Sequence, residues 1–151
     1  MDDRSSNKPL KNDFSDLTTD MLHAVMELVS DGVWDWNANT GFVYRSPGWY
    51  EMLGYPRHSL ENSVLTWETV IHPEDFPRVM AAFDDYISQR TALYQTEYRC
   101  RKEDGSYLWV EDRGYVIARN PDGSVARMVG AHRDIHLRKC SSETGEQAPG
   151  S

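Results

Sequence analysis

"EYRCRKEDGSYLWVEDRG", residues 97–114, alternates apolar or aromatic side chains with charged ones on both sides of a Glu-Asp-Gly turn. A period of two marks a strand that buries one of its faces. A short glycine-bearing turn between two such runs predicts an antiparallel pair. Working outward, residues 92–102, 106–119 and 124–138 read as three strands separated by "EDG" and "NPDG", which makes a meander. Tyr94, Thr96, Tyr98 and Cys100 share one side with Leu108, Val110, Asp112, Met128, Gly130 and His132, and that side is the expected core face. The opposite face gathers Glu97, Arg99, Glu111, Arg113 and Arg133. These are expected to pair across strands at ~0.2–1 kcal/mol each.

Upstream, "GVWDWN" (32–37), "ANTG" (38–41) and "FVYR" (42–45) read as a hairpin or near-hairpin. "SPGWYEMLGY" (46–55) opens with Ser-Pro, an N-cap followed by proline in the first turn, and closes at Gly54 as a helix end. Trp67, Val70 and Ile71 then supply a short amphipathic turn.

"TWETVIHPEDFPRV" (66–79) places His72 beside Glu74 and Asp75, a grouping compatible with a metal site, an acid/base pair or a helix entrance. Phe76, Val79, Met80, Phe83 and Ile87 recur at helical spacing as far as Arg90. A helix therefore starts near Asp75, with Pro77 tolerated only in its first turn. Glu74 and Asp75 fall at the positive end of its dipole, worth ~0.3–1 kcal/mol each. No second histidine follows at i+4, so no metal is expected. His72 and Asp75 are read as structural helix-entry residues.

The leading segment carries Phe14, Leu17, Met21, Ala24 and Leu28 at spacings of three and four, with Val25 alongside. The spacing predicts an amphipathic helix over 14–30, capped by Asp13 or Ser15. Two readings stay open: the stripe packs on its own domain, or it is a dimer seam. Residues 1–13 and 140–151 are polar and rich in Ser, Gly, Pro and charge. They read as a loose N-terminus and a disordered tail or linker around a core at 31–139.

Composition excludes several functions. A chain of 151 residues suits one domain. Its net charge of −8, without a Lys/Arg cluster, opposes the field that nucleic acid requires. No apolar run of membrane-spanning length and no leader appears. Cys100 and Cys140 are far apart, which suggests a reducing, cytoplasmic setting with neither zinc nor a disulfide framework. His72, Glu74, Asp75, Asp112 and His132 form no nucleophile–base pair by spacing, and no phosphate-cradling glycine loop is present. The chain is not expected to be an enzyme.

Strand-strand, three short helices and a three-strand meander follow in order. In that order, "DGVWDWNANTG", "SPGWYEMLGY", "TWETVIHPEDFPRV", "EYRCRKEDGSYLWVEDRG" and "MVGAHRDIHLRK" resemble the PAS domain family, in the sensory-box subgroup with the W…IHPED helix entry. The resemblance spans about residues 30 to 139. It implies an α+β fold: a five-stranded antiparallel sheet, short helices on one face, a pocket between them, and a sensory or regulatory role. It also favours the dimer reading of the leading helix.

The same resemblance places the signal exit at the end of the last strand. Asp134 and Ile135 match an Asp-Ile-Thr junction, but His136 stands where the threonine would be. Arg138 and Lys139 match the basic pair that often follows. The twelve residues after them suggest a lone module or one separated from its output domain. The photoreceptor branch's Asn-Cys-Arg segment is missing, so a cysteine–flavin cofactor is not expected. Residues 75–90 contain no histidine to hold haem, and neither His58 nor His23 is well placed to do so. His132 stands where the flavin-binding branch has a ligand-touching glutamine, and reads either as a satisfied core histidine or as a ligand contact. Trp34, Trp36, Phe83, Tyr98, Cys100, Val110 and His132 are the candidate pocket residues. An aromatic pocket argues for a small ligand or none. The expected function is to bind a small cue or partner and pass a conformational signal to an output domain such as a diguanylate cyclase or histidine kinase. The alternatives are a ligand-free dimerisation module and, more remotely, a haem or flavin sensor.

Overall fold

The computed structural model of the chain describes residues 18–147. Its elements are α1 (Thr19–Leu28), β1 (Gly32–Asn37), β2 (Val43–Arg45), α2 (Pro47–Leu53), α3 (Val64–Val70), α4 (Phe76–Ile87), β3 (Tyr94–Arg101), β4 (Tyr107–Arg119), β5 (Val125–Asp134) and α5 (His136–Gln147). The strands form one antiparallel sheet in the order β2-β1-β5-β4-β3. The meander and hairpin of the sequence are therefore joined through β1 and β5, a pairing that local alternation cannot reveal.

The core face is the one alternation selects. Tyr94, Thr96, Tyr98 and Cys100 of β3 are buried, as are Leu108, Val110 and Asp112 of β4 and Met128, Gly130 and His132 of β5. Trp49, Tyr50 and Leu53 of α2, Val70 of α3 and Val79 of α4 close over one end of it. The hairpin turn is held by Asn37, whose Oδ1 accepts from the N–H groups of Asn39 (3.0 Å) and Thr40 (3.1 Å).

The charged face differs from expectation. Glu97 stands opposite Glu111, and Arg99 opposite Trp109. Glu111 does face Arg133, but its carboxylate accepts from Gln95 (2.9 Å). Glu97 pairs with Arg138 (2.8 Å) and Lys139 (3.1 Å), and Arg99 with Asp75 (2.8 Å). Alternation assigns a face but not a register, and register chooses the partners.

The termini also require correction. Thr18 is extended, and its Oγ1 accepts from Met21 N–H (3.1 Å), so the helix expected over 14–30 does not run through residue 18. Phe14, Leu17 and the expected caps Asp13 and Ser15 lie outside the described residues, as does the N-terminus 1–13. At the other end β5 stops at Asp134, and the chain turns at once into α5, which continues to Gln147 where a loose tail was expected from residue 140. Asp134 starts it: its Oδ1 accepts from His136 N–H (3.0 Å).

Candidate functional site

One row of residues crosses all five strands: Arg45, Trp34, Gly130, Gly114 and Tyr94, each paired with the next. The two glycines make room for the indole of Trp34. A Cβ on Gly130 would stand 2.1 Å from Trp34 Cζ2, and one on Gly114 would stand 2.9 Å from the same atom. The ring therefore lies across β5 and β4, and this places its Nε1 against Asp112, to whose Oδ1 it donates (2.9 Å).

Asp112, 1% exposed, is the hub. Its Oδ2 accepts from Tyr94 (3.1 Å) and Tyr98 (2.8 Å) hydroxyls. Burial pushes both phenols well above their ordinary range, with the nearby Asp112 charge adding to the effect, so they remain donors. Tyr98 in turn accepts from Trp67 Nε1 (2.7 Å) and lies 3.0 Å from His132 Nε2. An indole N–H can only donate and a carboxylate can only accept. The single Tyr98 proton therefore goes to Asp112, and the remaining lone pair receives a proton carried on His132 Nε2. That leaves Nδ1 of His132 buried without a partner.

Above this floor lies a cavity of about 40 Å³, room for roughly three waters at ~10–15 Å³ each. Trp34, Trp36, Phe83 and His132 of the expected pocket set line it. Tyr98, Cys100 and Val110 do not. They are buried on the same sheet face but pack in the cluster with Leu53 and Ile71. Period-two reasoning found their face and could not give their depth along the sheet. Burial also raises the Cys100 thiol far above its ordinary range, which makes it inert filler.

The remaining wall is Val43, Arg45, Trp49, Val64, Trp67, Tyr94 and Asp112, none among the expected pocket residues. For Arg45 a signal existed: it is two residues from Val43 and so shares its inward face. Charge overrode that signal, because arginines are rarely buried. Arg45 is 2% exposed. Its guanidinium donates to the carbonyls of Glu61 (3.2 Å) and Ser63 (2.9 Å) and sits over the Trp49 ring at 5.0 Å.

The outer face has its own buried group. Asp35, on the opposite side of β1 from Trp34 and Trp36, accepts from Arg127 Nε (2.9 Å) and Nη2 (2.5 Å). It also meets His23 Nε2 of α1 at 2.8 Å. The His23 ring stacks on Tyr44, centroids 4.1 Å apart. Burial would raise the Asp35 carboxyl, but the bonds and charge of Arg127 and His23 outweigh it and hold it below the ordinary value. α1 is thus docked by its histidine. Met21, Ala24 and Leu28, together with Val25 and Val29, point away from the sheet and are exposed. The side of α1 turned to the sheet carries Leu22, His23 and Met26 instead, with Ser30 just past its end, all of which are buried or half-buried.

At the helix entry, His72 Nδ1 accepts from Glu74 N–H (3.0 Å), holding the turn. Asp75 does not cap α4 with its side chain. It accepts from the backbone (2.9 Å) and guanidinium (2.8 Å) of Arg99, tying α4 to edge strand β3. Among the described residues no group of three His, Cys, Asp or Glu is poised for a metal, and no helix is long and apolar enough to cross a membrane.

The strand exit is clasped on both sides. Asp134 N–H donates to Asp31 Oδ2 (2.8 Å), and Ile135 N–H donates to Trp109 O (3.0 Å). Trp109 N–H donates to His136 Nδ1 (3.1 Å). The imidazole supplies the acceptor on the residue that replaces threonine.

The family described as PAS fold matches residues 42–132. Among solved structures the chain is similar to a sensory box histidine kinase/response regulator from Burkholderia thailandensis. The two are 34% identical with a TM-score of 0.70, over 83% of this chain and 92% of that one. It is also similar to the N-terminal domain of a diguanylate cyclase with PAS/PAC sensor from Marinobacter aquaeolei. That pair is 32% identical with a TM-score of 0.61, over 72% of this chain and 97% of that one. Hybrid signal transduction histidine kinase A of Dictyostelium discoideum is 34% identical over 73 residues, which are 46% of this chain and 3% of that protein. The chain thus spans a small fraction of that kinase's length.

Proposed function

The chain belongs to the PAS fold family, and from that premise we propose that it is a sensory module that binds a small cue in the aromatic cavity and passes a conformational signal to an output domain. The output is of the histidine kinase or diguanylate cyclase type, as in the proteins it resembles. One observation carries the reading: the polar hub beneath the cavity and the exit clasp share strands β4 and β5. His132 lines the cavity and stands opposite Asp112, while Asp134, two residues on, stands opposite Val110. A cue that shifts His132 moves the strand that ends in the clasp. Such a cue must bind the two arrangements with different affinity, since equal binding shifts nothing. The protein works without catalysis of its own, in the cytoplasm.

A chimera with this module in place of a diguanylate cyclase's own sensor tests the reading. Filling the cavity with Val43→Phe should change basal cyclase output several-fold, and Asp134→Ala should blunt that change with the fold intact. Output indifferent to cavity filling would favour the second reading, a ligand-free dimerisation module. The exposed Met21, Ala24 and Leu28 of α1 support a homodimer seam in either case. Leu28→Glu should then yield monomers in sedimentation, and a persistent dimer would move the seam elsewhere.

A further inference from the structure

We propose that the cavity takes a small monocarboxylate, an anionic head on a short apolar tail, with Arg45 as its counter-ion. The inference rests on the sensory reading and names its ligand class. Arg45 is a cavity-lining cation that is almost wholly removed from solvent. Among the described residues no carboxylate lies within 4.0 Å of it; its partners are two backbone carbonyls and the Trp49 face. Carbonyl dipoles and a π-face soften the cost of burying a charge but do not neutralise it. Two of its five N–H donors account for the bonds to Glu61 and Ser63, which leaves capacity for an incoming oxygen. Desolvation pulls its pKa down to about 10, the response of a guanidinium lacking a counter-charge.

Asp112 also lines the cavity, but it is not that counter-charge. Its two oxygens are occupied by Trp34, Tyr94 and Tyr98. Its backbone sits on β4, three strands along the sheet from β2, so the two charged groups enter the cavity from different strands. Between the two ends the wall is indole and phenyl: Trp34, Trp36 and Phe83. That surface accepts a hydrocarbon tail and disfavours a fully hydrated anion such as phosphate. The cavity's 40 Å³ limits the ligand to a few heavy atoms unless the walls repack. His132 Nδ1, buried and without a partner, is the second unspent polar atom among the lining residues.

Four of the five tryptophans line the cavity, so intrinsic fluorescence reports occupancy. Titration of the full chain with propionate at fixed ionic strength should give a saturable change. Propionamide, its neutral counterpart, should bind about tenfold more weakly or worse, the value of a charge-assisted bond. Sodium chloride should not reproduce the signal. Arg45→Gln should erase the preference for propionate over propionamide, and Arg45→Lys should retain part of it. The comparison in wild-type protein stands even if a variant fails to fold. Propionamide binding as tightly as propionate, or no saturable response to propionate up to about 10 mM, would overturn the assignment. Either result leaves the sensory reading intact, because the cyclase chimera tests that reading without added ligand.

Discussion

Asp112 and Asp35 are both buried in the same sheet, one on each face. On the inner face, Asp112 is wrapped by neutral donors, two phenols and an indole, with His132 3.3 Å away. On the outer face, Asp35 is held by a guanidinium and by the histidine that docks α1. The inner arrangement is closed, with the Trp34, Tyr94 and Tyr98 donors all committed to Asp112. The outer one joins two elements through charge, at a boundary that Arg127, still partly exposed, shares with solvent. The difference is one of chemistry: neutral donors close over the inner carboxylate, while a guanidinium and an imidazole hold the outer one where α1 meets the sheet.

The largest expected effect breaks the inner side. Asp112→Ala leaves the Tyr94 and Tyr98 hydroxyls and the Trp34 indole buried without their acceptor, and should cost about 4 kcal/mol in urea denaturation. A loss below about 1 kcal/mol would mean that the three donors find other partners. Next is Gly130→Ala. The Cβ would meet the Trp34 ring and also the Arg113 carbonyl at 2.5 Å, and a backbone atom cannot swing aside. About 2–3 kcal/mol should be lost, with a tryptophan emission shift as the ring is displaced. Wild-type emission in the variant would show that the indole does not lie on the glycines.

On the outer side, Asp35→Asn should cost about 1.5–3 kcal/mol near neutral pH. The pH dependence has a defined sign. The folded-state pKa of Asp35 lies below its ordinary value of 3.8. Its ionised form therefore adds stability above that value, and the contribution disappears as pH falls through the folded-state pKa. The gap between wild type and Asp35→Asn should narrow in acid as pH falls through that folded-state pKa. The smallest effect belongs to His72→Ala, which frees only the exposed Glu74 N–H and should cost ~0.5–1 kcal/mol.

These faces were unequally legible in the sequence. The alternation of β3, β4 and β5 identified the inner face because large apolar residues there interleave with charge. It could not reveal the cross-strand row from Arg45 to Tyr94, since that row depends on β1 pairing with β5 across some ninety residues of chain. For the same reason it assigned Tyr98 the right face while missing its place as a bridge between Trp67, Asp112 and His132. On the outer face the pattern left two readings open. The apolar repeat of α1 marks the side turned from the sheet, and the docked side is carried by His23, whose partner Asp35 reads as an ordinary exposed strand residue. The C-terminal helix was hidden by composition, because Ser, Gly and Glu give no apolar stripe. Its start depends on the Asp134 cap and the His136 clasp rather than on packing.

The account's central claim is that the inner face is coupled to the strand exit and the outer face is not. Amide hydrogen exchange in two variants tests it most directly. His132→Leu should speed exchange at Trp109 and Ile135, whose amides close the exit clasp, by about tenfold or more, while leaving the α1 amides unchanged. Asp35→Asn should do the reverse, loosening α1 and sparing Trp109 and Ile135. Unchanged protection at Trp109 and Ile135 in His132→Leu, or loss of both regions together in either variant, would contradict the claim.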